Sequence, residues 1–369
     1  MARLVALDFP LGPDLEHAVR DCVDHARAFC ILDQRLAPRQ RRAQLVSLGA
    51  TDCWDPEGRS AIDGGQPVDD EVGLVALTSG SSGRPKAAEL TWSALASSAR
   101  LTQESLHRGG EQIWFPVLPA NHIGGIAVIL RAVLGEAKLH WGDPTDFAAA
   151  LSQGATHVAI VRAHLTRQDL SGFGVVLLGG ARPPALTASN VISTWGMTET
   201  GSGVAYNGVA LPEVDIASVN GEILVRTPTL FRSYRDAPRP RATGPDGLDD
   251  WFPTGDGGVL VDGRLTIHGR LAYVINTGGE KVWPEDLEAA IATLPSVRDV
   301  AVIGVEDPEW GQRIVAMVVG DGSNLDHAIR STANERLGPW AKPKEIRYVA
   351  AIPRTASGKI RRSELRHLH

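Results

Sequence analysis

The stretch Leu77–Lys86, LTSGSSGRPK, decides how the rest of the chain is read. It follows the apolar run Val72–Leu77, which predicts a short buried strand ending in a polar, glycine-rich turn. Gly80 and Gly83 let the backbone take positive φ and bring its N–H groups close to an anion. Thr78, Ser79, Ser81 and Ser82 add hydroxyl donors, and Lys86 adds a full positive charge. These features read as a phosphate cradle. It is not a Walker loop, because the spacing from glycine to Gly-Lys-Ser/Thr is absent. A solvated Ser/Gly turn between a strand and a helix accounts for the same ten residues, so the decapeptide alone leaves both readings standing.

Working outward, 369 residues exceed one ordinary core, and two domains are expected. A composition of 43% hydrophobic and 22% charged residues describes a soluble globular protein. No apolar run reaches a membrane-spanning length, and the opening MARLVALDFP lacks the apolar core of a signal peptide. This predicts a cytoplasmic protein without membrane insertion. Cys22, Cys30 and Cys53 are unevenly spaced and form no CxxC pair, which fits buried thiols in a reducing compartment. A net charge of −6 argues against a general nucleic-acid binder, so any positive field for a polyphosphate is local. Oligomeric state is not written in the sequence, and a homo-oligomer stays open.

Before the cradle, Val5–Phe9 and Phe29–Leu32 read as strands, Asp14–Ala28 and Gln40–Leu48 as helices, and Asp55–Asp70 as a loop. After it, Thr91-Trp-Ser opens a helix towards Leu106, Ile113–Leu118 reads as a strand, and Ile126–Leu134 as an apolar helix. His157–Val161 and Val175–Leu178 are further strands. Strands alternating with helices predict crossovers and a largely parallel sheet. From Val219 to His268 short strands with tight turns, such as NGEILVRT and DGRLTIHG, predict hairpins. Beyond Arg270 a compact βαβ-like pattern runs to the end.

Four later stretches fit the same kind of ligand. LLGGARPP (Leu177–Pro184) leaves a strand through Gly179 and Gly180, at the strand end where open α/β sheets bind ligands. STWGMTETGSG (Ser193–Gly203) sets an aromatic ring, a threonine and a carboxylate among glycines. FPTGD (Phe252–Asp256) delivers Asp256 after a tight turn, suited to accept hydrogen bonds from sugar hydroxyls. RTASGKIRR (Arg354–Arg362) is a second Ser/Gly loop carrying Lys359. Singly, each is also a turn, a surface pair or a solvated basic loop.

In this order the motifs resemble the adenylate-forming superfamily of acyl- and aryl-CoA ligases, peptide-synthetase adenylation domains and beetle luciferases. LTSGSSGRPK is similar to its phosphate loop, WGMTE to its aromatic-Gly-x-Thr-Glu motif, and FPTGD to its ribose-binding aspartate. GRLAYVINTGGEKVWPEDLE (Gly269–Glu288) is similar to its interdomain segment, and PRTASGKIRR (Pro353–Arg362) to its C-terminal lysine loop. The likeness runs from Val72 to the end, about four-fifths of the chain. It implies an α/β fold: a large N-terminal domain of parallel-rich sheets with helices and a hairpin or barrel-like part, residues 1–271, and a small mobile α+β domain, residues 272–369.

The resemblance also implies a reaction in two halves. A carboxylate attacks the α-phosphorus of ATP to give acyl-AMP and pyrophosphate, and the thiol of coenzyme A then displaces AMP. Two anions must meet in the first half, so the catalyst neutralises and aligns charge. Ser79–Gly83 and Lys86 would hold the β- and γ-phosphates, Thr198 the α-phosphate, and Glu199 a Mg²⁺ ion. Asp256 and Arg270 would hold the ribose, while Gly180, Ala181, Trp195 and Gly196 frame the adenine and acyl group. Lys359 would bridge carboxylate and phosphate in the adenylating pose. In the second half the small domain turns about Ala272 and presents Gly278, Gly279 and Glu280 to a thiol channel. Lys342, Lys344, Arg347, Arg361, Arg362 and Arg366 are placed to meet the phosphates of coenzyme A, or else form a solvated basic face.

Three departures from the family pattern stand out. The segment before the phosphate loop is short, which predicts a trimmed subdomain. Trp195 replaces the usual tyrosine, and Ala272 sits where Asp or Lys is common at the hinge. The run around His122, with Arg131 nine residues on, resembles the o-succinylbenzoate–CoA ligases of menaquinone biosynthesis, in which that arginine meets a substrate carboxylate. Gly179 would line the same acid site. Arg131 is out of pattern in the apolar run IAVILRAVL, and a buried arginine is usually matched by a carboxylate. A structural salt bridge to a protein acid, or an arginine on the helix's exposed edge, would also explain it. The other readings are a different small aryl- or acyl-CoA ligase, and a non-catalytic adenylate-binding or carrier-docking module; the presence of Lys86, Glu199, Asp256 and Lys359 together disfavours the module.

Overall fold

The computed structural model describes residues 1–78, 86–165, 167–180, 188–321, 324–355 and 358–365. Two units emerge: Met1–Gly179, Ala185–Ile216 and Val225–Phe252 form the first, and Gly180–Pro184, Ala217–Leu224 and Pro253–His369 the second.

The first unit carries a mixed sheet in the order Ala237–Pro238, Ser233–Tyr234, Ala87–Thr91, Val72–Leu77, Phe29–Ile31, Val5–Leu7, Asp52–Asp55, Gly58–Ala61. Val5–Leu7 pairs in parallel with Phe29–Ile31 and with Asp52–Asp55, as the alternation of strand and helix predicts. Two expectations are corrected here. The Asp55–Asp70 stretch is not all loop, because Gly58–Ala61 turns back on Asp52–Asp55 as an antiparallel strand. The phosphate stretch joins two antiparallel strands, Val72–Leu77 and Ala87–Thr91, and the helix starts only after the second. That helix, Trp92–Ser105, begins where the Thr91 side chain accepts the Ala94 N–H at 3.2 Å.

The unit's other sheet places His157–Val161, Val175–Gly179 and Val191–Met197 in parallel, with Ile113–Phe115 beside the first of them. Ser202–Tyr206 then folds back antiparallel on Val191–Met197, with a bulge at Trp195/Gly196. The helix Ile123–Val133 is buried along nearly its whole circumference from Gly125 to Ala132, which explains its continuous apolar sequence. Gly125 admits the helix: a Cβ there would lie 2.3 Å from the Pro119 carbonyl oxygen. One cluster runs through this unit, with Phe29, Leu74, Trp114, Ile129 and Phe231 among its largest members.

In the second unit Phe252–Val261 and Arg264–Arg270 pair as an antiparallel hairpin, as the short-strand texture predicts. Beyond it lies a five-stranded sheet, Glu280–Val282, Ile275–Thr277, Gly311–Gly320, Val297–Asp307, with Glu345–Tyr348 paired to Gly311–Gly320. The βαβ reading of this region needs correction. Its two longest strands, Val297–Asp307 and Gly311–Gly320, are antiparallel, and the parallel crossover is confined to Gly311–Gly320, the helix Leu325–Leu337 and Glu345–Tyr348. Alternating side chains bury one face of this sheet with Leu287, Ile291 and Ile329 and the other with Ile352 and Leu365. Among the described residues no helix is long and apolar enough to cross a membrane.

Candidate active site

Thr78 and Lys86 close the base of the phosphate stretch: the Thr78 N–H donates to the Lys86 carbonyl at 2.8 Å, and the Lys86 N–H to Thr78 Oγ1 at 3.4 Å. Ser79, Gly80, Ser81, Ser82, Gly83 and Ala181 lie outside the described residues. Lys86 itself is exposed, and its Nζ stands 4.8 Å from the centre of the Tyr234 ring. Tyr234 reaches this place because Ser233–Tyr234 pairs with Glu89 and Ala88 on the strand that follows the loop. Arg235 and Arg232 fasten the same segment through the buried Glu89 carboxylate, at 3.2 and 3.4 Å.

The Tyr234 hydroxyl donates to Glu199 Oε1 at 2.8 Å, and the Phe231 N–H to the Glu199 carbonyl at 2.8 Å. Glu199 and Thr198 sit half-buried on the 3₁₀ turn Thr198–Thr200, which Thr200 locks by donating to the Met197 and Ser202 carbonyls. Lys86, Thr198 and Glu199 therefore converge through a tyrosine that sequence reasoning missed. Its only signal was the aromatic ring in LFRSYRD (Leu230–Asp236). One oriented carboxylate beside a cationic loop fits Mg²⁺, which keeps several waters and shares its shell with phosphate oxygens. Trp195 and Gly196 precede the turn at the bulge, and Gly179 ends the neighbouring parallel strand, followed by Gly180 at φ +91°.

A second cluster surrounds Arg131. The side chain is 2% exposed, stacks over Trp114 with Cζ 4.3 Å from the ring centre, and donates from Nη2 to Ser202 Oγ at 3.5 Å. Its Nη1 has no hydrogen-bond partner among the described residues, and neither does Trp114 Nε1. Burial pushes the guanidinium down to about 10, so it stays charged at neutral pH. Neither an exposed helix edge nor a salt bridge to a described carboxylate accounts for it. Nearby, the Tyr206 hydroxyl meets Thr102 Oγ1 at 3.0 Å, and burial lowers the pKa of His157, whose ring lies 5.0 Å from that of Trp114. His122 is the N-cap of the Ile123–Val133 helix, half-buried, with Nε2 3.2 Å from Arg35 Nη2. Trp114 and Ser202 were not picked out in the sequence, since each reads as ordinary strand filling.

The second unit holds the remaining candidates. Asp256 is 7% exposed and pairs with Arg270 at 2.9 Å, while Arg270 Nη1 donates to the Thr254 carbonyl at 2.7 Å. Ala272 is exposed on the 3₁₀ turn Leu271–Tyr273. Gly278 and Gly279 form the two-residue turn between Ile275–Thr277 and Glu280–Val282, at φ +59° and +86°; the exposed Glu280 follows. That pair of positive φ angles is what a tight hairpin of this twist needs. Lys359 is exposed; its N–H donates to Thr355 Oγ1 at 3.1 Å and its carbonyl accepts the Thr355 N–H at 2.8 Å.

One member of the expected basic cluster is misplaced. Arg362 is buried and bound to Glu288 at 2.7 and 3.0 Å and to Glu285 at 3.1 Å, so it cannot reach a solvent phosphate. Burial pushes Glu288 up to about 7, against the pull of that guanidinium. Arg366 lies outside the described residues.

The family model for AMP-binding enzymes matches residues 6–235, and that for the AMP-binding enzyme C-terminal domain residues 286–359. A protein described as a probable 2-succinylbenzoate–CoA ligase, from Mycobacterium tuberculosis, is 36% identical over 332 residues, covering 82% of this chain and 85% of its own. The 2-succinylbenzoate–CoA ligase of Geobacillus kaustophilus is 31% identical over 351 residues, covering 81% and 70%. The o-succinylbenzoate CoA synthetase (MenE) of Bacillus subtilis, solved in complex with the acyl-adenylate intermediate OSB-AMP, superposes with a TM-score of 0.83 over 100% of this chain and 88% of its own, at 21% identity. That likeness shows a shared fold: mixed α/β, with a large N-terminal sheet domain and a smaller C-terminal one. Motif order, fold and relatives agree over most of the sequence, and the chain belongs to the AMP-binding enzyme family.

Proposed function

We propose that the protein is an ATP-dependent acid–CoA ligase acting through an acyl-adenylate, with o-succinylbenzoate as its acid and menaquinone biosynthesis as its route. The observation that carries the choice of acid is Arg131, a fully buried cation whose Nη1 finds no partner among the described residues. o-Succinylbenzoate has two carboxylates, and only the succinyl one is activated. The ring carboxylate stays charged in the site and needs a fixed cation, for which a planar guanidinium held over the Trp114 ring is well shaped. The names of the relatives support the same acid.

In the first half-reaction the succinyl carboxylate oxygen bonds to the α-phosphorus and the bond to pyrophosphate breaks. Lys86 and the Ser79–Gly83 backbone would bind the β- and γ-phosphates, and the Thr198 hydroxyl would donate to the α-phosphate. Glu199, oriented by Tyr234, would hold Mg²⁺, which when bound spreads the phosphate charge. Asp256, fixed by Arg270, would accept from the ribose hydroxyls. Trp195 and Gly196, with Gly179–Ala181, would frame the adenine and the acyl chain. Lys359 would neutralise the two approaching anions in this half only. In the second half, residues 272–369 would turn about Ala272, and Gly278–Glu280 would line the approach of the coenzyme A thiol, which displaces AMP. ATP and coenzyme A as cosubstrates, and three buried free thiols, favour a cytoplasmic setting.

The test is AMP release from a panel of carboxylic acids, with and without coenzyme A. Release with o-succinylbenzoate, converted to a thioester only when coenzyme A is present, is expected. Release with other acids but not this one would remove the substrate assignment, and no acid-dependent release would remove the ligase.

A further inference from the structure

Arg362 stands three residues after Lys359 and points inwards rather than to solvent. Its Nη1 donates to Glu288 Oε1 at 2.7 Å and to the Val302 carbonyl at 2.6 Å, its Nη2 lies 3.0 Å from Glu288 Oε2 and 3.1 Å from Glu285 Oε1, and its Cζ is 5.4 Å from the centre of the Tyr273 ring. A guanidinium fork on two carboxylates, a carbonyl and an aromatic face has little freedom left. Glu288 is itself tied down, since its Oε1 also accepts the Val302 N–H at 2.7 Å.

The other end of the lysine loop has an anchor of the same kind. Arg354 bonds to both oxygens of Asp299, at 2.6 and 3.3 Å, and its Nη1 donates to the Gly358 carbonyl at 2.7 Å, directly before Lys359. Between the two arginines the chain closes on itself through the Arg354–Ile360 bridge and an Arg361 N–H to Pro353 carbonyl bond of 2.9 Å. The base of the loop that carries the exposed Lys359 is thus pinned to the strand Val297–Asp307 and the helix Pro284–Ile291.

We infer that Arg362 and Arg354 are positioning residues for Lys359, holding the base of its loop so that the lysine is preorganised for adenylation. Tyr273, next to the hinge residue Ala272, shares the Arg362 site, so the hinge segment and the lysine loop are built on one cluster around a buried arginine. This inference rests on the proposed role of Lys359 in the first half-reaction. It concerns placement of the ammonium group, and neither arginine touches the reactants.

Arg362→Met, Arg354→Gln and Lys359→Ala are compared in two assays: acid-dependent ATP–pyrophosphate exchange, and thioester formation from supplied acyl-adenylate and coenzyme A. A loop displaced by about an ångström costs on the order of a hundredfold in the step that uses it. Arg362→Met should therefore lose roughly that factor in exchange while thioester formation stays near wild type. Arg362→Lys, which keeps the charge without the fork, should fall between the two, and Arg354→Gln should lose exchange to a smaller degree. Equal loss in both assays, or no loss in exchange, overturns the inference. Should Arg362→Met not fold, the exposed Arg354→Gln decides the matter by the same two outcomes. Lys359→Ala separates the two levels. If it keeps exchange, the lysine role fails and takes the inference with it; if it loses exchange while both arginine variants keep it, the inference alone fails.

Discussion

Replacing Arg131 by methionine should separate recognition from stability. In the free protein the guanidinium is 2% exposed, with one long hydrogen bond to Ser202 and a stacking contact with Trp114. That contact stabilises by about 2 kcal/mol at most, and it is opposed by the desolvation that pushes the group down to about 10. Methionine fills a similar volume without a charge, and exchanging a buried ionic group for an apolar one is often neutral. The melting temperature should therefore stay within a few degrees of wild type. With the diacid bound the balance reverses, because a buried carboxylate would lose its cation. Such a loss costs about 3–5 kcal/mol, or roughly two to four powers of ten in kcat/KM. The assay is AMP release with o-succinylbenzoate and with the analogue lacking the ring carboxylate. Wild type should favour the diacid strongly, and the variant should treat the two acids alike. A variant that unfolds, or that keeps its preference for the diacid, would show that Arg131 is structural.

Other expectations follow from the proposed roles. Lys359→Ala should abolish acid-dependent ATP–pyrophosphate exchange and leave thioester formation from acyl-adenylate near wild type; equal loss in both rules out its one-half role. Ala272→Pro, which fixes φ and removes an N–H, should trap one pose and spare one half-reaction, and unchanged activity in both would move the hinge elsewhere. Tyr234→Phe removes the 2.8 Å hydrogen bond to Glu199 and should raise the Mn²⁺ concentration needed for half-saturation of the ATP complex roughly tenfold, read by paramagnetic relaxation; an unchanged titration would detach Glu199 from the metal. His157 has a folded pKa below its ordinary 6.5, so the unfolded chain takes up the proton first as pH falls. The stability it contributes is complete above about 6.5 and is lost as pH drops through the folded value, so His157→Gln should flatten the melting-temperature profile on the acid side. A slope equal to wild type would assign that loss to other groups.

How much of this was legible beforehand depended on the range of the interaction. Val72–Leu77, Trp92–Ser105 and the two hairpin strands after Phe252 announce themselves by local periodicity and a Thr cap. Gly58–Ala61 did not, because its burial pattern is exposed throughout and its strand identity comes from pairing with Asp52–Asp55. Ala87–Thr91 hides for a different reason: it is buried at its first four positions and runs straight into a helix cap, so its five residues carry no alternation of their own. At the site, the motif residues Lys86, Thr198, Glu199 and Asp256 were readable as types. Tyr234, Trp114 and Ser202 were not, since each gains its role from a partner between 17 and 148 positions away, by the differences 131 − 114, 202 − 131 and 234 − 86.

The Arg361-Arg362 pair shows the physical limit of reading charge from composition. The two residues are adjacent and chemically identical, yet one is half-exposed and pairs with Glu364 at 2.9 Å, while the other is buried on Glu285 and Glu288. An exposed i, i+3 pair of this kind is worth at most about 1 kcal/mol, so an incoming phosphate can displace Glu364 from Arg361. Removing Arg362 would strand two part-buried carboxylates, Glu288 more deeply than Glu285, at a cost of up to about 3 kcal/mol, more than one surface phosphate contact recovers. Lys344, whose Nζ lies 4.0 Å from the centre of the Trp310 ring, falls on the displaceable side of that line. A coenzyme A phosphate would accordingly be met by Lys344 and Arg361, and Arg361→Gln should raise the KM for coenzyme A without touching pyrophosphate exchange. If exchange falls instead, Arg361 belongs with the anchors of the lysine loop, and the division between solvent-facing and buried arginines drawn from these distances is wrong.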